Sequence, residues 1–156
     1  MNGIDEILAV FDTSGSFHEP GKQHVLEYLG DTVANAENME YFQARLRMYT
    51  WNDEVLESKD IPPALSGHGI ADVRALRKFL EKVADNQAVL LISDGLFGPF
   101  RDKKLTLLTQ HMGKRFQIIV AGYDADTSTL RKLTGNIHQA EDITSILHML
   151  AKQDFI

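Results

Sequence analysis

Ile7-Leu8-Ala9-Val10-Phe11-Asp12-Thr13-Ser14-Gly15-Ser16 joins an unbroken apolar run to an acid and to hydroxyls set around a glycine. A run of five apolar residues is too short for a helix and suits a strand buried on both faces of a parallel sheet. An acid placed directly after such a strand lies at its carboxyl end, where open α/β sheets bind ligands. The same combination recurs at Ala88-Val89-Leu90-Leu91-Ile92, which leads into Ser93-Asp94-Gly95. A third run of this kind is Phe116-Gln117-Ile118-Ile119-Val120-Ala121.

Working outward, Ala44-Arg45-Leu46-Arg47-Met48-Tyr49-Thr50-Trp51 is more alternating. It ends in Asn52-Asp53 and leads to a short Glu54-Val55-Leu56, which predicts a hairpin with an edge strand. Between the strands lie segments of helical period. Leu26, Leu29, Val33 and Ala36 form one; Val73, Leu76, Phe79, Leu80 and Val83 a second; Leu105, Leu108 and Met112 a third; Ile143, Ile146, Leu147 and Leu150 a last. Gly113 is a natural stop for the third. A small segment, Thr127 to Leu133, precedes a short final strand within Gly135-Asn136-Ile137-His138-Gln139. The alternation predicts a doubly wound, Rossmann-like α/β fold: a mostly parallel six-stranded sheet with one antiparallel edge strand and helices on both faces. Residues 1–156 are read as a single domain without repeats or linkers, with Pro62-Pro63 in a loop.

Composition narrows the function. The chain has 156 residues, 44% hydrophobic and 24% charged, enough to bury a core without a disulfide or structural metal. It has no cysteine, which excludes thiol catalysis, zinc ribbons and disulfide scaffolds. The formal net charge of −6 argues against nucleic acid or an anionic membrane as the main partner, since both select for clustered Lys and Arg. The one basic cluster is Arg101-Asp102-Lys103-Lys104, diluted by an acid. The first residues carry acids where a signal peptide is positive, and no apolar run reaches the ~20 residues of a membrane span. The expected compartment is the cytoplasm.

If the strands before Asp12 and Asp94 are neighbours, the two carboxylates converge with Ser14 and Ser16 beside them. That is an all-oxygen donor set, suited to hard cations such as Mg²⁺ or Mn²⁺. Each motif alone also reads as turn chemistry, because Asx and Ser side chains bond their own backbone and Gly permits positive φ. Together they favour a site, since two acids at one switch point repel each other without a cation. Phe97 and Phe100, in the loop after Asp94, either form an apolar rim or fold back onto the core. Asp124 and Asp126 follow the third apolar strand on the same edge and read as negative potential or as ordinary loop acids.

Asp12-Thr13-Ser14-Gly15-Ser16 resembles the Asp-x-Ser-x-Ser signature of the von Willebrand factor type A family, where it forms the metal-ion-dependent adhesion site. Ser93-Asp94-Gly95 resembles the family's later Thr/Ser-Asp-Gly, whose acid completes that site. The resemblance extends through the Met48 to Val55 hairpin, the Gly-rich entry to the Ala71–Val83 helix and the closing Leu130 to Ile143 stretch, and is to the small intracellular bacterial kind of member. It implies Asp12, Ser14, Ser16 and Asp94 as metal ligands, Mg²⁺ or Mn²⁺ as the ion, and a protein partner whose Asp or Glu fills the open coordination position. It also implies work beside AAA-type ATPases or in larger assemblies.

One position departs from the family pattern. Where the family supplies a Thr, this chain has Ile70, which cannot ligate a metal. Nearby, Asp72 reads as a ligand or as a dipole partner at a helix start, and His68 as a ligand or a solvated loop residue. Two alternatives stand beside the interaction module. One is a metal-independent scaffold whose site is vestigial, supported by Ile70. The other is a Mg²⁺-dependent phosphohydrolase with Asp12 as nucleophile, opposed by Ser14 where haloacid-dehalogenase-type phosphatases carry a second Asp, and by the absence of a phosphate-clamping loop. The expectation is a binding protein and not an enzyme.

Overall fold

A computed structural model describes residues 3–13, 20–39, 42–58, 71–98, 100–122 and 124–152. The strands are β1 (Glu6–Asp12), β2 (Arg45–Trp51), β3 (Val55–Ser58), β4 (Gln87–Ser93), β5 (Phe116–Val120) and β6 (Ile137–His138). The helices are α1 (Pro20–Ala36), α2 (Val73–Leu80), α3 (Lys103–Met112), α4 (Thr127–Arg131) and α5 (Ile143–Lys152). They alternate along the chain as the sequence predicts.

The sheet runs in the order β3-β2-β1-β4-β5-β6. Its pairs are parallel except for β2 with β3, the hairpin, which is antiparallel. The chain therefore starts in the middle, proceeds to one edge, and returns to the other side of β1 through β4. Strand order reverses between β1 and β4, which is where this architecture opens a crevice at its carboxyl edge.

The unbroken apolar runs follow from burial on two faces. In β1, Ile7, Ala9 and Phe11 face one core with Leu26, Leu29 and Val33 of α1 and Ile143, Leu147 and Leu150 of α5. Leu8 and Val10 face a second core with Leu76 and Leu80 of α2, Leu105 and Met112 of α3, and Leu130 of α4. β4 divides in the same way, Ala88, Leu90 and Ile92 to the first core and Val89 and Leu91 to the second. A polar residue at any of these positions lies under a helix layer, and each buried Leu, Ile or Phe contributes about 1.5–3 kcal/mol.

α2 ends earlier than its apolar spacing predicts. It stops at Leu80, and the amides of Lys82 and Val83 bond three residues back, to Phe79 and Leu80, in a tightened last turn. Val83 still packs on the second core, so its apolar character reports burial and not helix. α3 ends as predicted at Gly113, whose φ of 56° is readily reached only by glycine. Pro62-Pro63, His68 and Ile70 lie outside the described residues.

Candidate metal centre at the sheet's carboxyl edge

β1 and β4 run side by side with Phe11 opposite Ile92, so the next residues along, Asp12 and Ser93, emerge together at the carboxyl edge. Asp12 is fully buried, as are Ser93 and Asp94. The Ser93 hydroxyl donates to Asp12 Oδ2 at 2.7 Å, and its own oxygen accepts from the Gly95 amide at 3.0 Å. This hydroxyl therefore ties the end of β1 to the turn that leaves β4. The sequence places Ser93 in the Ser-Asp-Gly motif but gives it no role of its own; its position as the polar residue that ends the apolar run Ala88 to Ile92 is the signal that marks it.

The Asp94 turn is held from both sides. Its carboxylate Oδ1 accepts from the Leu96 amide at 2.9 Å, and its carbonyl accepts from the Asp126 amide at 2.7 Å. Gly95 between them has a φ of +74°, and a Cβ there would stand 2.4 Å from the Asp126 carbonyl oxygen. Glycine is required twice, for its dihedral and for the close approach of the next loop. Asp126 caps α4: it accepts from the Thr129 amide at 3.1 Å, from the Thr129 hydroxyl at 2.8 Å and from the Ser128 hydroxyl at 2.6 Å. Those bonds, the Ser128 hydroxyl foremost, draw its carboxyl down to about 2. Its charge is thus engaged at a helix start.

On the other flank, the Thr13 amide and hydroxyl donate to the Trp51 carbonyl at 3.0 and 3.3 Å. Trp51 Nε1 donates to the Asp72 carbonyl at 2.8 Å, and the Asp72 amide donates to the Asn52 carbonyl at 2.8 Å. The end of β2 thus fixes both the chain leaving β1 and the entry to α2. Asp72 is the N-cap of α2, its Oδ1 accepting from the Arg74 amide at 2.8 Å, which is the dipole-partner role of its two readings. Phe97 folds inward and is not a rim: its ring lies 5.2 Å from that of Trp51 in the second core.

Asp12 and Asp94 thus stand at adjacent strand ends at the switch point, while Ser14 and Ser16 lie outside the described residues. Among the described residues no three His, Asp or Glu side chains converge as a metal cluster. The donors among the described residues are two buried carboxylates and the Ser93 hydroxyl, all oxygen, which is the set a hard divalent cation prefers and a soft one does not. A cation bound by buried carboxylates favours their charged forms against the cost of burial.

No family model and no curated protein matches the sequence. Solved structures do match its fold. The manganese-loaded TRAP protein of Plasmodium vivax superposes with a TM-score of 0.67 at 16% identity, covering 96% of this chain and 74% of that one. Proximal thread matrix protein 1 of the mussel byssus gives 0.66 at 10% identity, covering 96% and 48%. A form of the mussel protein has a zinc-occupied MIDAS motif, the metal-ion-dependent adhesion site. A von Willebrand factor type A protein of Catenulispora acidiphila gives 0.61 at 15% identity, covering 97% and 43%. The chain spans about half the length of the last two. With its strand order, its single antiparallel edge strand and helices on both sheet faces, the chain has the fold of a von Willebrand factor type A domain.

Proposed function

We propose that this chain is a protein-interaction module that binds Mg²⁺ or Mn²⁺ through Asp12, Ser14, Ser16 and Asp94 and receives an Asp or Glu carboxylate from its partner. The observation that carries this reading is the pair of fully buried acids ending neighbouring strands at the point where strand order reverses. The metal-loaded states of the Plasmodium and mussel proteins, which share the fold, support it.

The roles divide by environment. Asp12, withdrawn from water and held by the Ser93 hydroxyl, is preset in orientation. Asp94 is steadied by the Leu96 amide and by its carbonyl's bond to Asp126. A bound divalent cation supplies a Lewis-acidic charge that an incoming carboxylate can complete. We read the chain as a binder and not a phosphohydrolase, because Ser14 occupies the position where a second catalytic Asp is needed. The same proposal includes a cytoplasmic setting, and an AAA-type ATPase or larger assembly as the partner's context. No helix among the described residues is long and apolar enough to cross a membrane.

Thermal melts after EDTA treatment and dialysis test the proposal. Metal at a hundred times its dissociation constant adds about 2.7 kcal/mol, which raises Tm by roughly 5–10 °C for a domain of this size. The rise is expected in the wild type and absent in Asp12→Asn and Ser16→Ala. A wild type indifferent to millimolar Mg²⁺ and Mn²⁺ replaces this reading with the metal-independent scaffold, in which Ile70 has ended the site's function.

A further inference from the structure

The basic cluster Arg101-Asp102-Lys103-Lys104 plays no part in the metal centre. It enters α3, and beside it lies a groove of about 630 Å³ that runs from Phe100 along the exposed side of α3 to Lys132, just past α4. Phe100 and Leu107 give this groove its apolar character. Leu107 is 64% exposed, more than any other large apolar side chain among the described residues. It lies off the stripe of Leu105, Leu108 and Met112 that α3 turns to the core. An exposed apolar surface beside cations is the mark of an interaction site.

Arg101, Lys103 and Lys132 supply the charge. Asp102, the one acid lining the groove, is engaged elsewhere: Oδ1 accepts from the Leu105 amide at 3.0 Å as the N-cap of α3, and Oδ2 lies 3.2 Å from Arg77 Nε. Among the described residues no carboxylate pairs with Arg101, Lys103 or Lys132. Lys132 Nζ instead stands 5.9 Å from the centroid of the Phe100 ring. On a chain of net charge −6, an apolar recess bordered by three cations that no carboxylate pairs among the described residues is a local reversal of sign.

We infer that this groove docks a protein segment that inserts one apolar side chain and flanks it with Asp or Glu. Charge complementarity selects the acids, and the recess selects a side chain that enters it. A membrane-binding face presents a broad apolar stripe, whereas Phe100 and Leu107 alone supply the large apolar lining here, and the chain's overall negative charge opposes an anionic bilayer. The cations are also too few for a phosphate track, which needs a longer basic run. Docking here needs no metal, so this surface and the metal centre stand or fall separately.

The test uses the full chain and a set of short fluorescent peptides, each carrying one Leu or Phe among Asp and Glu, beside a matched set with Lys and Arg in place of the acids. Fluorescence anisotropy in EDTA is expected to show binding of the acidic set alone, weakening as salt rises. Lys103→Glu with Lys132→Glu is expected to weaken it about tenfold or more, and Leu107→Ser about tenfold, with Tm unchanged because these side chains are exposed. Binding of neither set overturns the inference. So does equal binding of both sets, or acidic-set binding that survives both variants. Binding to anionic phosphatidylserine vesicles without binding to the acidic peptides overturns it in favour of a membrane surface. Loss of peptide binding in EDTA with recovery in Mg²⁺ assigns the peptides to the metal centre and overturns it as well.

Discussion

The Ser93 hydroxyl donates to the Asp12 carboxylate at 2.7 Å across 81 positions of sequence, joining the ends of the two central strands at the carboxyl edge. Both groups are fully buried, so neither can exchange this bond for one to water. Ser93→Ala removes a donor from Asp12 and an acceptor from the Gly95 amide together. The expected loss is about 1–3 kcal/mol, read as a lower urea midpoint with unchanged slope.

Asp12→Asn separates a structural carboxylate from one kept for a cation. The amide oxygen can still accept from Ser93, while the buried negative charge disappears. In EDTA the variant is expected to melt at or above the wild-type temperature, because burial penalises a charged carboxylate more than a neutral amide. A clear drop in Tm in EDTA would assign Asp12 a purely structural role.

Gly95→Ala is expected to be severe. The φ of +74° disfavours a side chain, and the new Cβ would meet the Asp126 carbonyl oxygen at 2.4 Å. Together strain and displacement cost about 3 kcal/mol or more. Chemical denaturation reads the loss, and amide exchange is expected to rise at Leu96 and Asp126, whose bonds define this turn. Near-wild-type stability would mean that the two loops part without penalty.

Stability at acid pH is expected to depend on two groups whose pKa the fold lowers. Burial pushes the His138 imidazole below its ordinary 6.5, against a smaller opposing effect of Asp142, and its Nε2 lies 2.7 Å from Gln117 Oε1. The unfolded chain then takes up the proton first, so stability is fully present above 6.5 and is lost as pH falls through that value toward the folded pKa. Asp126, drawn from 3.8 to about 2, adds stability above 3.8 that is lost as pH falls toward 2. Tm measured against pH is expected to slope downward below 6.5, and His138→Gln to flatten that first slope. An unaltered slope in the variant would assign it to other groups.

The residues of β1 and β4 show why so much of the fold is legible in the sequence. A strand buried on both faces has apolar side chains at every position, so Ile7 to Phe11 and Ala88 to Ile92 announce both their conformation and the helix layers above and below. The alternation in β2 and the turn at Asn52-Asp53 mark the antiparallel edge for the same local reason. Gly113 and the Asp72 and Asp102 caps act within a turn of their own helices, and local chemistry is what a sequence displays.

Sequence by itself determined the element types, the doubly wound class and the acids that end two central strands. Tertiary structure alone decided that those strands are neighbours, because pairing between β1 and β4 spans α1, the whole hairpin and α2, and no local pattern encodes it. It also turned Phe97 inward onto Trp51, brought the Asp126 amide onto the Asp94 carbonyl, and set Lys132 beside the exposed side of α3. Each of these depends on contacts between distant segments. The free energy of such a contact is a property of the assembled surfaces, not of either stretch of chain.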